Sequence, residues 1–234
     1  MKSRLVIIMC MALAASPVLA GEKVELKTEK DKISYAIGLD VGNGLKKNEI
    51  DVDADIVARA IKDILAGNKP LMTDEEVKTT ITALQKDLQA KQQEKMKALG
   101  DKNKKEGEAF LAKNKTKEGV KTLPSGLQYK VITQGKGKTP MASDTVTVQY
   151  RGTLIDGTEF DSSYKRGQPA TFPVSGVIKG WTEALQLMKE GSKWQLVIPS
   201  DLAYGASGTQ GGPIGPNAVL IFEVELVSIK AQDK

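Results

Sequence analysis

Apolar residues recur along this chain with two different periods, and the change falls near Gly119. Upstream the spacing is helical. Ile33, Ile37, Val41 and Leu45 recur every four residues between Lys30 and Asn48, and Ile56, Ala60, Ile61, Ile64 and Leu65 form one face between Asp53 and Ala66, before a Gly67-Asn68 stop and Pro70. A third helix opens at Thr73, where Thr73 and Glu76 fit the S/T-x-x-E capping box. Val77, Ile81, Leu84 and Leu88 then follow at spacings of four, three and four, the seam of a helix packed on partner helices. Beyond Leu88 the apolar pattern fades, yet helix formers continue without a proline until Pro124. The helix is therefore expected to run to about Lys115, roughly 60 Å at 1.5 Å per residue. A helix polar all round is not held by packing, so its later part reads as a bridging arm or a partly disordered stretch; a long arm is the expectation, with Gly100 or Gly107 as the place for any bend. The seam itself needs an apolar partner, and a second copy of the chain is the economical supplier.

Downstream the period drops to two. Leu127, Tyr129 and Val131 share one strand face; Val146, Val148 and Tyr150 share another, with Thr145, Thr147, Gln149 and Arg151 pointing away. Asp156-Gly157 is a hairpin signal leading into Thr158, Glu159 and Phe160. Ala170 to Val174 reads as an edge strand because it contains Pro173. Trp181, Ala184, Leu185 and Met188 lie at i, i+3, i+4 and i+7, one face of a short helix ended by Gly191. Trp194, Leu196 and Ile198 alternate along the next strand, and Leu220, Phe222, Val224 and Leu226 along the last. The loop between them, Pro199 to Asn217, is rich in glycine and proline and long enough to be functional. The pattern predicts an α+β protein: an antiparallel half-barrel sheet with one short helix across it, preceded by a helical region.

Composition narrows the chemistry. There is no histidine, which excludes Ser-His-Asp and Cys-His catalysis, HExxH zinc sites and a histidine pH switch. Residues 1–20 have a basic start (Lys2, Arg4), an apolar run from Leu5 to Ala15 and small residues before Gly21. They read as a cleaved secretory signal, since the run is shorter than the roughly 20 residues of a membrane span. The single cysteine, Cys10, lies within it, leaving no thiol for a disulfide, a nucleophile or a metal. Loss of Lys2 and Arg4 takes the formal charge from +5 to +3, too mild to argue for nucleic acid. The basicity is local: nine lysines against four acids between Lys91 and Lys117. Gly42-Asn43-Gly44 is not a phosphate loop, because no strand precedes it and no third glycine follows at the required spacing; close helix packing is the expected reason for Gly38, Gly42 and Gly44. Strands lined by aromatic and aliphatic side chains under one helix point to a dry apolar cleft suited to an apolar ligand or peptide side chain.

Five stretches, Val148-Gln149-Tyr150-Arg151-Gly152, Glu159-Phe160-Asp161-Ser162-Ser163, Val177-Ile178-Lys179-Gly180-Trp181, Leu202-Ala203-Tyr204-Gly205 and Leu220-Ile221-Phe222-Glu223-Val224-Glu225-Leu226, resemble in order and spacing the FKBP-type peptidyl-prolyl cis-trans isomerases. Leu123-Pro124-Ser125-Gly126-Leu127-Gln128-Tyr129 and the long helix before it resemble the exported, dimeric Mip-like (macrophage infectivity potentiator) branch. The resemblance implies four parts: a signal at 1–20, a helical dimerisation domain at 21–72, a connecting helix at 73–118 and the isomerase domain at 119–234. In that branch the N-terminal helices entwine two chains and the long helix holds each isomerase domain outward in a V. It further implies a site of Tyr150, Phe160, Asp161, Val177, Ile178, Trp181, Tyr204 and Phe222, with Arg166 and Ile214 also binding substrate. Trp181 would be the floor under the proline ring and Tyr150, Phe160 and Phe222 the walls. The Ile178 N–H and the Tyr204 hydroxyl would hold substrate carbonyls. Asp161, among apolar neighbours, needs a hydrogen-bonded partner, for which Tyr150 and Arg166 are the candidates. Two departures bear on substrate preference: Ala170 stands where small single-domain members have an aromatic, and the loop after Gly205 lacks their histidine.

The resemblance implies no cofactor and no metal. Implied partners are proline-containing unfolded or extracellular proteins, macrolide inhibitors and a second copy of the chain, in the periplasm or at the outer cell surface, with no nucleic acid and no membrane span after signal cleavage. A dimeric holdase chaperone, or client-binding module with incidental isomerase activity, is the alternative, resting on the N-terminal seam and the arm. Asp161→Leu or Tyr150→Ala is expected to lower activity strongly with little change in thermal midpoint.

Overall fold

The computed structural model describes residues 25–230. The expected signal at residues 1–20 lies outside them. The described chain divides into two compact units, one ending at Val77 and one beginning at Lys78.

In the first unit each helix start is set by a local side chain. Helix α1 (Glu29–Lys47) begins at Thr28, whose hydroxyl accepts from the Asp31 N–H at 3.1 Å while the Asp31 carboxylate accepts from the Thr28 N–H at 2.8 Å. Helix α2 (Ala54–Leu65) begins at Asp53, whose carboxylate accepts from the N–H groups of Asp55 and Ile56. Helix α3 (Asp74–Asn114) starts from Thr73, and the Glu76 carboxylate accepts from the Thr73 N–H at 2.8 Å, the box read from the sequence. The apolar stripes are present but uncovered: Ile37 is 60 % exposed, Ile64 65 % and Leu65 83 %. An apolar groove of about 410 Å³ runs between α1 and α2, lined by Ile37, Val41, Leu45, Val57 and Ile61 among others. A methyl group added at Gly38, Gly42 or Gly44 would meet nothing within 4 Å. The close packing expected of these glycines is therefore not made among the described residues of the chain.

The second unit is built on one antiparallel sheet of seven strands. These are β1 (Val120–Thr122), β2 (Gln128–Thr133), β3 (Thr145–Leu154), β4 (Glu159–Ser162), β5 (Ala170–Pro173), β6 (Lys193–Ile198) and β7 (Leu220–Lys230), ordered β1-β2-β6-β7-β3-β4 with β5 paired to β3. The alternation in β3 is realised residue by residue: Val146, Val148 and Tyr150 are buried and Arg151 is exposed. The Asp156-Gly157 turn takes Gly157 to φ +88, and Asp156 accepts from the Thr158 N–H at 2.9 Å. The short helix α4 (Lys179–Leu185) buries Trp181, Ala184 and Leu185 against the sheet. Leu127, Leu185, Met188, Leu196, Leu220 and Leu226 sit at the centre of the core with 0 or 1 % exposure. This is the expected α+β half-barrel around one short helix.

One expectation changes. The later part of α3, read as a polar arm without packing, is docked onto the sheet unit. Its buried positions are Gly100, Gly107 and Asn114, seven residues apart on one face. A Cβ on Gly107 would fall 2.7 Å from Val219, and one on Gly100 3.2 Å from Pro216. Asn114 donates to Gln128 at 2.9 Å, and Gln128 donates to the Leu111 carbonyl at 3.0 Å. A seam of small and polar residues carries no apolar period, which is why the hydrophobic pattern did not show it.

Candidate functional site

A cavity of about 520 Å³ opens beside α4. Tyr150 comes from β3, Phe160 and Asp161 from β4, and Phe222 from β7. Val177 and Ile178 lead into α4 and Trp181 lies in its first turn; Tyr204 and Ile214 come from the loop between β6 and β7. These are nine of the ten site residues named from the sequence. The tenth, Arg166, is not a wall residue, but its guanidinium donates to the Tyr150 hydroxyl at 2.7 Å and to the Asp161 carboxylate.

The aromatic rings are held edge-on around the Trp181 indole. Tyr150 meets it at 5.2 Å and 88°, Phe222 at 5.2 Å and 81°, and Phe172 at 6.1 Å and 90°. Phe160 stands against Phe222 at 5.4 Å and 84°. Each pair has the perpendicular geometry that the ring quadrupole favours. Glycine at 152 permits this meeting, since a Cβ there would lie 2.7 Å from both the Phe160 and Phe222 rings. The indole N–H of Trp181 is buried without a hydrogen-bond partner among the described residues. No side chain caps the start of α4 at Ile178.

Asp161 is the one charged side chain in the lining. The Tyr150 hydroxyl donates to Asp161 at 2.5 Å, and both candidates for partnering Asp161 are used together. Burial works against charge on Asp161, but the Tyr150 hydroxyl and the Arg166 guanidinium outweigh it and hold the carboxyl below its usual range. Burial, reinforced by Asp161, pushes the Tyr150 phenol up. The site thus presents a fixed carboxylate, a neutral phenol and apolar rings. Beside it Glu159 is bound by Lys165 and Arg151, in that order of effect, and its carboxyl is also lowered.

Sequence reading missed Phe172, Gly176 and Ala203 in the lining. The signal for Phe172 was available: β5 alternates, so Ala170 and Phe172 share a face, and both lie partly buried against the core. Phe172, two residues after Ala170, is the ring that β5 contributes to the lining.

Residues 136–227 match the FKBP-type peptidyl-prolyl cis-trans isomerase family, and residues 30–131 match the domain amino terminal to FKBP-type peptidyl-prolyl isomerase. The chain belongs to the FKBP-type peptidyl-prolyl cis-trans isomerases, and it is an enzyme of that type. It is 50 % identical to the outer membrane protein MIP of Legionella longbeachae, over 98 % of this chain and 99 % of that one. It is 49 % identical to the peptidyl-prolyl cis-trans isomerase Mip of Coxiella burnetii, covering 88 % of this chain and 89 % of the other. The crystal structure of FkpA from Escherichia coli superposes with a TM-score of 0.71 at 41 % identity, covering 89 % of this chain and all of that one.

Proposed function

We propose that the cavity floored by Trp181 is where this enzyme turns X-Pro bonds, in an exported homodimer that assists protein folding. The carrying observation is the set of rings placed edge-on around the Trp181 indole, with a single carboxylate held in the wall. The barrier to X-Pro rotation, about 18 to 20 kcal/mol, arises from amide resonance that places charge on the carbonyl oxygen. A twisted amide is less polar than a planar one. A pocket that grips the proline ring on Trp181, between Tyr150, Phe160 and Phe222, and excludes water therefore favours the twisted form. The Ile178 N–H and the Tyr204 hydroxyl are assigned to the flanking substrate carbonyls, and Asp161, tied to Tyr150 and Arg166, to the electrostatics of the wall. The steps need no acid, base, nucleophile or metal. Macrolides that present a ring to such a pocket would compete with substrate.

Dimerisation is assigned to the uncovered apolar faces of α1, α2 and the first turns of α3, where Val77 is 45 % and Ile81 46 % exposed. Export to the periplasm or outer surface rests on the composition of residues 1–20 and on likeness to a relative named as an outer membrane protein; among the described residues no helix is long and apolar enough to cross a membrane. The same uncovered faces favour a second reading, a holdase in which isomerisation is incidental. It loses its support if residues 21–115 alone do not suppress aggregation of an unfolded client.

The direct test is cis-to-trans relaxation of a proline peptide with the full chain and with Asp161→Asn and Tyr150→Phe. A loss of about tenfold or more is expected, the scale of a hydrogen bond to a charged group. Unchanged rates in both would remove the cavity as the site. Tyr150→Ala is a poorer probe than the sequence suggested. Tyr150 is 5 % exposed and packs on Phe172, Trp181 and Phe222, so truncation would also cost about 3 kcal/mol or more of stability.

A further inference from the structure

The loop between β6 and β7 supplies three cavity residues, Ala203, Tyr204 and Ile214, yet little of it is regular structure. At its base the Asn217 N–H donates to the Gly205 carbonyl at 2.9 Å, directly after Tyr204. Across its middle the Thr209 N–H donates to the Ile214 carbonyl at 2.8 Å. The Ile214 N–H also donates to the Thr209 hydroxyl at 3.3 Å, and two further hydrogen bonds tie the loop to α3. The Asn103 side chain donates to the Pro216 carbonyl at 2.8 Å, and the Asn217 side chain donates to the Gly100 carbonyl at 3.2 Å.

The packing agrees with the hydrogen bonds. A Cβ on Gly215 would lie 3.1 Å from the Leu99 side chain and 3.1 Å from the Asn103 side chain, so these helix side chains lie close against the loop backbone. Asn217 takes φ +54, a left-handed conformation that asparagine tolerates better than most residues. It thus joins three elements at one residue: the turn after Tyr204, the end of the loop and the helix. Ile214, only 5 % exposed, is two residues from the carbonyl that Asn103 holds.

We infer that Asn103 and Asn217 are positioning residues of the isomerase site: through them the docked part of α3 sets the wall formed by Tyr204 and Ile214. Neither touches the cavity, and the inference rests on the cavity being the site of substrate binding. On the proposed reading Tyr204 and Ile214 hold parts of the substrate that flank the turning bond and change little between its planar and twisted states. A looser loop therefore weakens binding in both and raises KM with little change in kcat. This distinguishes the brace from the Asp161 network, whose loss lowers kcat.

The variants are Asn103→Ala, which keeps a good helix former, and Asn217→Gly, which keeps the positive φ but removes the donor. In the full chain each is expected to raise KM for a proline peptide about fivefold, the equivalent of about 1 kcal/mol. Lys104→Ala, one residue along the helix on its exposed side, should not. Amide hydrogen exchange at Thr209 and Asn217 should quicken in Asn103→Ala while exchange in β3 and β7 stays at the parent rate. Unchanged KM, or unchanged exchange in the loop, overturns the inference. A fall in kcat without a rise in KM also overturns it, since the helix would then act on the chemistry and not on the wall. Full activity of Asp161→Asn and Tyr150→Phe would instead strike the cavity assignment itself, an outcome separable by the exchange measurement.

Discussion

Residues 25–77 and the sheet unit use apolar side chains in opposite ways. In the sheet unit Leu127, Val148, Leu185 and Leu226 are fully buried. In the helical unit Ile33, Ile37, Ile56, Ile64 and Leu65 are all at least half exposed, and α1 has no buried residue. Both regions have well-specified elements, so the difference lies not in local structure but in what covers it. A sheet folded over a helix closes its own core, whereas two short amphipathic helices enclose only a groove. Such exposure is the mark of an interaction surface, which is why the dimer is assigned there and the chemistry to the other unit.

The comparison can be broken by experiment. The largest expected effect is in the core: Leu226→Ala should cost about 2 to 5 kcal/mol in denaturant unfolding followed by tryptophan fluorescence. Both tryptophans, Trp181 and Trp194, belong to the sheet unit, so this signal reports that unit alone. A loss below about 1 kcal/mol would mean that the core is less tightly packed than it stands here. Next in size, the helical unit should melt at a midpoint that rises with protein concentration, as expected where folding and association are linked, while the tryptophan transition does not. Ile37→Asp with Ile61→Asp should halve the mass seen by light scattering and abolish that dependence. A concentration-independent melt of both units would end the assignment of the dimer to these faces.

The smallest effect is on pH. The Asp161 carboxyl is depressed below its ordinary value, so the stability it contributes is present above the unfolded-chain value of about 3.9 and is lost as pH falls through the lower folded value. The Tyr150 phenol is raised and stays protonated at neutral pH. With no histidine in the sequence, isomerase activity should be flat from about pH 5.5 to 8 and decline only in acid. A step near neutrality would show that a group outside this network controls the site.

Much of the sheet unit was legible because its signals are local and redundant. Period-two alternation gave β3 and β7, Pro173 marked the edge strand and Gly157 the turn. The i, i+3, i+4, i+7 pattern from Trp181 placed α4. The cavity residues were read through resemblance and not from pattern, since a ring in a pocket and a ring in a core have the same period. Phe172 lies outside the five stretches that carried the resemblance, although it shares a strand face with Ala170.

What the sequence determined by itself is the set of elements, the absence of histidine chemistry and the apolar faces that seek cover. Hydrophobic period, caps and turn residues act over a few positions, so they can be read along the chain. Only the tertiary structure decided that the rings stand edge-on around Trp181, that Asp161 is shared between Tyr150 and Arg166, and that Gly100, Asn103 and Gly107 dock α3 against the loop bearing Tyr204 and Ile214. All three depend on contacts between separate elements, and the last on contacts between residues more than a hundred positions apart, made by small and polar groups that leave no period in the sequence.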